Sequence, residues 1–186
     1  IKIINNKKNM GPGFSRNVGL NNANGDYIAF LDSDDEWMDF KIESQINIML
    51  SRNLKASHTS YIRYNSDSKK RTFIKSGIFN CSIPISTFFC RVATPTVIIK
   101  KNIISNIRFP EDIRHMEDTI LWLRISKKTK FAGLNIFSTI VNVNKETSAF
   151  NKLNYSNGMR RIRSEFLSRY SFVSLMHKSY CKLRGI

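Results

Sequence analysis

One short apolar run that ends in a cluster of acids constrains the fold more than any other feature of the chain. Residues 26–31 read DYIAFL, and a short run rich in aromatic and β-branched residues predicts a buried strand. Acids follow at once, in the sequence DSDDE over residues 32–36. A helix is predicted from about Met38. Its apolar stripe falls at helical spacing and consists of Ile42, Ile46, Met49 and Leu50.

The segments around this unit extend an alternating α/β pattern. Residues 1–4 are predicted to form a short strand, and a helix with Ser15 as its N-cap is predicted to end near Asn24, with Gly25 beyond it. Strand, helix, strand and helix in this order predict parallel pairing at the start of the sheet. Later strands are predicted at 56–64, 72–74, 94–100 and 131–144, and later helices at 83–90 and 116–127.

Composition narrows the class of protein. The 186 residues suit a single domain, and 41% hydrophobic and 11% aromatic residues exclude a disordered basic tail. Thirty Lys and Arg against fourteen Asp and Glu give a net charge of +16, which predicts an anionic partner. Three cysteines without C-x-x-C spacing support neither a disulfide framework nor a zinc site, so a reducing compartment is indicated. No apolar run approaches the ~20 residues that span a bilayer.

The acidic cluster has two interpretations. Asp32 and Asp34 follow a strand, and ligands of α/β sheets bind at the carboxyl ends of strands. Two such carboxylates could share a hard cation such as Mg²⁺ or Mn²⁺, which would also hold substrate phosphates. Alternatively, Asp34 or Asp35 could cap the following helix, with Glu36 in its first turn.

Two further motifs are ambiguous when each is taken alone. The loop at residues 9–13 (NMGPG) precedes a helix and could approach a phosphate with Arg16 beside it, although most such loops are plain turns. Glu117 and Asp118 begin a predicted helix, where acids more often complement the helix dipole than catalyse a reaction.

Together these motifs resemble an inverting family-2 glycosyltransferase of the GT-A type. The resemblance is carried by NMGPGFSRNVG at residues 9–19, ANGDYIAFLDSDDEW at 23–37 and MEDTILWLR at 116–124. Three motifs in the right order are far more specific than any one of them. The resemblance covers roughly residues 1–150 and implies a mixed, Rossmann-like α/β sheet flanked by helices. It also implies bacterial surface polysaccharide synthesis, with sugar transfer from a nucleotide-sugar donor, UDP-sugar being favoured.

The resemblance also implies residue roles on the donor side. Asp34, the second acid of a D-x-D motif, would hold Mn²⁺ or Mg²⁺, with Asp32 toward the ribose or the metal. Asn9, Gly11 and Arg16 would contact the nucleotide or its diphosphate.

On the acceptor side, the resemblance implies that Asp118 is the general base, with Glu117 beside it shaping the site. The acceptor would be a saccharide or a polyprenyl-linked saccharide. Trp37 would line the sugar pocket, although a core position is equally consistent with the sequence.

The front of the chain departs from the family pattern. Members of the family open with a strand–helix–strand unit that reads the nucleotide, and residues 1–186 contain no such unit. We therefore expect an N-terminally truncated domain with weak donor binding, and a non-catalytic remnant is the main alternative. A basic nucleic-acid-binding module is a remote alternative, because it leaves Asp32, Asp34 and Asp118 unexplained.

The predicted domain at 1–150 is followed by a basic helical tail at 151–186. Residues 159–184 carry seven Lys or Arg and one acid, Glu165. Such an amphipathic helix could lie on an anionic membrane surface, which predicts a cytoplasmic protein that is peripheral to the inner face of the plasma membrane. Alternatively, the helix packs its apolar side on the catalytic domain.

Overall fold

A computed structural model of the chain describes residues 1–76, 92–143 and 152–167. The helices are α1 (Pro12–Asn22), α2 (Lys41–Ser51), α3 (Lys101–Ile104), α4 (Glu117–Ser126) and α5 (Lys152–Ile162). The strands are β1 (Tyr27–Ala29), β2 (Glu36–Trp37), β3 (Ala56–Asn65), β4 (Lys70–Ile74), β5 (Val97–Lys100) and β6 (Phe131–Val143). A 3-10 turn at Thr94–Thr96 precedes β5, and a π-helical turn at Arg163–Leu167 follows α5.

The strands form one mixed sheet in the order β1-β5-β3-β6-β2, with β4 paired to the far end of β3. Among the described strands, only β3 and β6 pair in parallel. The predicted parallel pairing at the start of the sheet is wrong, because β1 pairs antiparallel with β5. The prediction of a mixed α/β sheet flanked by helices is confirmed.

The core lies between the sheet and α4, which is buried along most of its length. Phe30 of the β1 segment meets Phe109 and Trp122 edge to face, with ring centroids 5.5 and 5.8 Å apart. These rings share a cluster with apolar side chains of β3, β5 and β6. Helix α4, which begins with Glu117 and Asp118, is therefore packed closely against the sheet.

Two predictions about the first 25 residues are wrong. Residues 1–4 are exposed and form no strand. The first helix begins at Pro12, with Gly11 rather than Ser15 at the N-cap, because proline already has the backbone angle of a first helical residue. That helix ends at Asn22 with Ala23 as its C-cap, so Asn24 rather than Gly25 is the first residue beyond the C-cap.

The predicted apolar stripe of α2 is wrong at two of its four positions, since Met49 is buried and Ile46 half-buried as predicted. Ile42 and Leu50 are 41% and 62% exposed, whereas Lys41 and Gln45 are fully buried. The Lys41 Nζ donates to Gln45 Oε1 at 2.7 Å and lies 5.0 Å from the centroid of the Trp37 ring. These two partners allow a lysine to be buried, although burial lowers the pKa of Lys41 to about 8.

The later predictions are largely confirmed. The strand predicted at 94–100 is shorter, because residues around Pro95 form the 3-10 turn and only β5 is extended. In the described part of the tail, Ile162 and Phe166 pack with Ile120 and Leu123 of α4. The predicted helix at 83–90 and the rest of the tail lie outside the described residues. Among the helices that are described, none combines the length and apolar character that crossing a bilayer requires.

Candidate active site

Arg16 joins the two acidic clusters that the sequence predicted to share a site. Its Nη2 lies 2.8 and 3.0 Å from the two carboxylate oxygens of Asp32, and its Nη1 lies 2.9 Å from Glu117 Oε1. The guanidinium also lies 5.5 Å from the centroid of the Phe109 ring. Arg16, Asp32 and Glu117 therefore meet directly in the structure.

The charges of this group shift two pKa values. Burial alone would lower the pKa of Arg16, but the negative charges of Asp32, Asp118 and Glu117 outweigh it, and the pKa is raised. Burial and, to a smaller extent, the charge of the neighbouring Asp118 raise the pKa of Glu117 to about 7, and this value already includes the opposing effect of Arg16. A carboxyl with a pKa near 7 can be protonated or ionised close to neutral pH.

Asn17 anchors α1 to the segment that leads into α4. Its Nδ2 donates to the Phe109 carbonyl at 2.9 Å and to Glu111 Oε1 at 2.7 Å, and its Oδ1 accepts from the Phe109 N–H at 2.9 Å. The residue is buried. Sequence analysis missed it, because a lone Asn on a helix carries no spacing signal.

Asp118 lies in the first turn of α4 with both carboxylate oxygens engaged. Its Oδ1 accepts from the Thr119 N–H at 2.6 Å, and its Oδ2 lies 3.2 Å from Thr94 Oγ1. The preceding Met116 has a left-handed backbone with φ of 68°. Non-glycine residues adopt this conformation rarely, and mostly where surrounding structure imposes it.

Helix α5 supplies that surrounding structure. Gly158 is buried so close to the loop before α4 that a Cβ there would lie 2.5 Å from the His115 carbonyl oxygen and 2.8 Å from Met116 Cβ. A side chain at this position would displace the loop that leads into Glu117 and Asp118. Nothing in the sequence around Gly158 indicates this contact, since glycine inside a helix usually signals only lower stability.

The first acidic cluster lies at the opposite, more open side of the site. Neither Asp34 nor Asp35 caps α2, whose N-cap is Phe40 without a side-chain hydrogen bond, so the capping interpretation is wrong. Asp35 Oδ1 accepts from the Asn142 N–H at 2.9 Å, and burial raises the pKa of Asp35 to about 6. Asp34 is exposed, and its backbone carbonyl accepts from Asn142 Nδ2 at 2.6 Å.

The donor set can be compared with what Mg²⁺ or Mn²⁺ requires. Within the described ranges, no group of three or more His, Cys, Asp or Glu could hold a metal ion. These ions are often held by one or two carboxylates together with substrate phosphates, and the exposed Asp34 carboxylate suits that arrangement. Both oxygens of Asp32 accept from the Arg16 guanidinium, so a cation bound to Asp32 as a second ligand would lie close to another positive charge.

The other predicted donor contacts lie apart from the acids. Asn9 is exposed, and its Oδ1 accepts from the Gly11 N–H at 3.0 Å. Gly11 has φ of 90°, a value that favours glycine, and it precedes the Pro12 that begins α1.

Trp37 is half-buried on β2. Its Nε1 donates to the Pro95 carbonyl at 2.7 Å, and Lys41 lies against its ring. These contacts connect Trp37 to the 3-10 turn, and through Thr94 to Asp118.

A groove of about 340 Å³ lies along β1 and α1, and Arg16 and Asp32 reach one part of its lining. Leu20, Tyr27 and Leu31 supply apolar lining. The groove therefore joins an apolar surface to the ionic group around Arg16.

Known proteins are similar to this chain in sequence and in fold. An uncharacterised glycosyltransferase of Rickettsia conorii is 38% identical over 187 residues, which cover 96% of this chain and 31% of that protein. The UDP-Glc:alpha-D-GlcNAc-diphosphoundecaprenol beta-1,3-glucosyltransferase WfgD of Escherichia coli is 32% identical over 135 residues, covering 73% of this chain and 52% of WfgD. The chain thus spans about a third to a half of the length of these curated relatives.

A crystal structure of TarS from S. aureus in complex with UDP-GlcNAc matches with a TM-score of 0.67 and 19% identity, over 85% of this chain and 47% of that chain. This match shows the fold. The sequence model of glycosyl transferase family 2 matches residues 1–106, more than half of the chain. The chain therefore belongs to glycosyl transferase family 2.

Proposed function

We propose that the protein transfers a hexose from a UDP-sugar to a lipid-linked saccharide diphosphate, with inversion at the anomeric carbon and with Asp118 as general base. The single observation that carries this proposal is the fixed carboxylate of Asp118 beside Glu117. Its charge acts on Arg16, whose pKa it helps to raise, and Arg16 also pairs with Glu117 and with the donor-side acid Asp32.

In the proposed reaction, the acceptor hydroxyl attacks the anomeric carbon from the face opposite the diphosphate. A bond forms between this oxygen and the carbon, the bond from carbon to the diphosphate oxygen breaks, and UDP leaves. The hydroxyl proton passes to Asp118. A carboxylate suits this role because the hydroxyl becomes more acidic as its bond to carbon forms.

Glu117 is proposed to hold the acceptor. A carboxyl whose pKa is raised to about 7 can donate a hydrogen bond when protonated and accept one when ionised. Arg16 fixes the orientation of this side chain through its 2.9 Å contact. Glu117 would thus orient the hydroxyl while Asp118 takes the proton.

The donor and acceptor are proposed from the relatives. WfgD and WfaP of Escherichia coli are both named as UDP-Glc glucosyltransferases that act on GlcNAc-diphosphoundecaprenol. TuaG of Bacillus subtilis, 32% identical over 132 residues, is named as a putative teichuronic acid biosynthesis glycosyltransferase. These names support surface polysaccharide synthesis as the process that this protein serves.

We propose that Asp34 holds Mn²⁺ or Mg²⁺ together with oxygens of the donor diphosphate, with Asp32 contacting the ribose. When bound, such an ion would act as a Lewis acid that stabilises the charge of the leaving group. Trp37, Asn9 and Gly11 remain proposed as contacts of the sugar or the nucleotide.

A peripheral position on the inner face of the membrane would suit a lipid-linked acceptor. Ile162 and Phe166 are buried against α4, so they are not available to lipid. In the described half of the tail, the contact would depend on basic side chains such as the exposed Arg160 and Arg161.

The test is a transfer assay on the full-length gene product, with UDP-glucose, UDP-galactose or UDP-GlcNAc as donor, GlcNAc-diphosphoundecaprenol as acceptor and Mn²⁺. The Asp118→Asn variant should lower kcat by about 10²–10⁴-fold, because it cannot take the proton. Asp112→Asn is the matched control, since this exposed carboxylate precedes the same helix, and it should retain wild-type kcat. Transfer at equal rates by wild type and Asp118→Asn, or no transfer by the wild type from any of these donors, would contradict the proposal.

A further inference from the structure

A three-residue turn connects Trp37 and Gln45 to Asp118. The 3-10 turn at Thr94–Thr96 is buried throughout. The Pro95 carbonyl accepts from Trp37 Nε1 at 2.7 Å, and the Thr96 carbonyl accepts from Gln45 Nε2 at 3.1 Å. Donors from β2 and α2 therefore fix the position of this turn.

The support beneath the turn is itself ordered. Gln45 Nε2 also donates to Ser57 Oγ at 3.0 Å, and Gln45 Oε1 accepts from the buried Lys41 ammonium. The buried face of α2 thus contains two polar residues, Lys41 and Gln45, beside the apolar Met49 that the sequence predicts there. A polar network of this kind fixes a single arrangement, because each buried group in it requires its partner.

Thr94, the first residue of this turn, contacts the proposed base Asp118. Its side chain, on a residue only 4% exposed, brings Oγ1 within 3.2 Å of Asp118 Oδ2. The other oxygen of Asp118 is held by the N–H of Thr119, on its own helix. Within the described part of the chain, the hydrogen bond from Thr94 thus reaches the Asp118 carboxylate from outside α4, whereas Thr119 reaches it from α4 itself.

We infer that Thr94 is a positioning residue whose hydroxyl donates to Asp118 and fixes the carboxylate plane toward the acceptor. This inference rests on the proposed function, in which Asp118 takes the acceptor proton. Proton transfer requires the base within hydrogen-bond reach of the proton in a narrow geometry. A carboxylate held only from its own helix turns about its side-chain bonds and spends less time in that geometry.

The experiment compares Thr94→Val with Thr94→Ser in the full-length gene product, with the transfer assay described above. Valine has the shape of threonine without the hydroxyl, and serine retains the hydroxyl. Thr94→Val should lower kcat by about 10- to 100-fold, while the KM for the UDP-sugar stays within about twofold of wild type. Thr94→Ser should recover kcat to within about threefold of wild type, since it restores the donor.

A matched control separates positioning from a general effect of burying a methyl group. Thr139 is fully buried, and its Oγ1 has no hydrogen-bond partner among the described residues. Thr139→Val makes the same chemical change without removing a contact to Asp118, so it should leave kcat unchanged. Thermal unfolding of all the variants shows whether a lost rate follows lost stability.

The Asp118→Asn background separates failure of this inference from failure of the proposed function. In that background, Thr94→Val should cause no additional loss of kcat, because the group it positions is gone. If Asp118→Asn loses kcat but Thr94→Val retains it, or if Thr94→Ser is as slow as Thr94→Val, the inference is overturned and the base assignment stands. If Asp118→Asn retains kcat, the proposed function itself fails.

Discussion

The two acidic clusters of this site differ in how they are held. The first, at residues 32–36, occupies the loop after β1 and the first residue of β2, and Asp34 and Glu36 are exposed there. The second is Glu117 with Asp118 at the start of α4, where Glu117 is only 7% exposed. Arg16 connects the two clusters through Asp32 and Glu117.

The difference indicates a division of labour. Burying carboxylates is costly unless hydrogen bonds and opposite charges compensate, and the second cluster has such partners in Arg16, Thr94 and the backbone of α4. Groups fixed before the substrate arrives need no reorganisation during the reaction. The open first cluster can instead accept a ligand, as the proposed diphosphate and its cation require.

The largest effect on stability is expected where α5 packs against the loop that leads into Glu117 and Asp118. Gly158→Ala should destabilise the protein by about 2–3 kcal/mol, because its Cβ would meet the His115 carbonyl oxygen at 2.5 Å. Gly19→Ala on α1 is the matched control. Apart from the backbone of α1 itself, no atom lies within 4 Å of the Cβ position of residue 19. The Gly19→Ala variant should therefore be more stable than wild type by about 0.5–1 kcal/mol. Urea unfolding measures both, and equal stability of the two variants would show that α5 does not support the loop.

A smaller effect is expected from the buried carboxyl of the second cluster. The pKa of Glu117 is about 7 in the folded protein and 4.5 as its ordinary value. Between these values the folded state binds more protons than the unfolded state, so the free energy of unfolding falls as the pH rises from about 4.5 to 7. Glu117→Gln should reduce this fall by about 2 kcal/mol, an order of magnitude set by ~1.4 kcal/mol for each tenfold change in proton affinity.

Urea unfolding at several pH values between 4.5 and 8 measures this slope. The raised pKa of Asp35 contributes in the same direction to both proteins and cancels in the comparison. Glu43→Gln, a change of an exposed acid on α2, should keep the wild-type slope. An unchanged slope in Glu117→Gln would show that the pKa of Glu117 is not raised by burial.

The smallest effect on stability is expected at the first cluster. Asp34→Asn should change the free energy of unfolding by no more than about 0.5 kcal/mol, because the side chain is exposed. Asp35→Ala should cost more, about 1–2 kcal/mol, since it removes the acceptor of the Asn142 N–H. The comparison would reverse if Asp34→Asn proved the more destabilising change in urea unfolding.

The sequence predicts the fold class and the helix that carries Glu117 and Asp118 well, because both depend on local patterns. The run at 26–31 followed by acids, and the helix at 116–127, are readable from periodicity and from motif order. Glu117 and Asp118 are indicated by the resemblance of MEDTILWLR to a family motif, and the structure confirms that the pair begins a helix, although that helix is buried on most sides rather than amphipathic. The sheet class follows from the same alternation, although the direction of β1 does not.

The sequence does not reveal how the second cluster is supported. Thr94 and Gly158 act across contacts between residues far apart in the chain, and a single sequence carries no signal for such pairs. The buried face of α2 was misread because hydrophobic periodicity assumes that lysine and glutamine face water. Lys41 and Gln45 are buried because each finds a partner, which only the tertiary structure supplies. Pro95 did offer a signal, since proline inside a predicted strand indicates its interruption.

Calorimetric titration of UDP in the presence of Mn²⁺ tests the division between the clusters most directly. It is performed on the full-length gene product as wild type, Asp34→Asn and Asp118→Asn. We expect Asp34→Asn to weaken UDP binding by about tenfold or more, because it removes a charged oxygen ligand. We expect Asp118→Asn to bind UDP within about twofold of wild type, because its role lies with the acceptor proton. Equal loss of UDP binding in both variants, or loss in Asp118→Asn alone, would contradict the account.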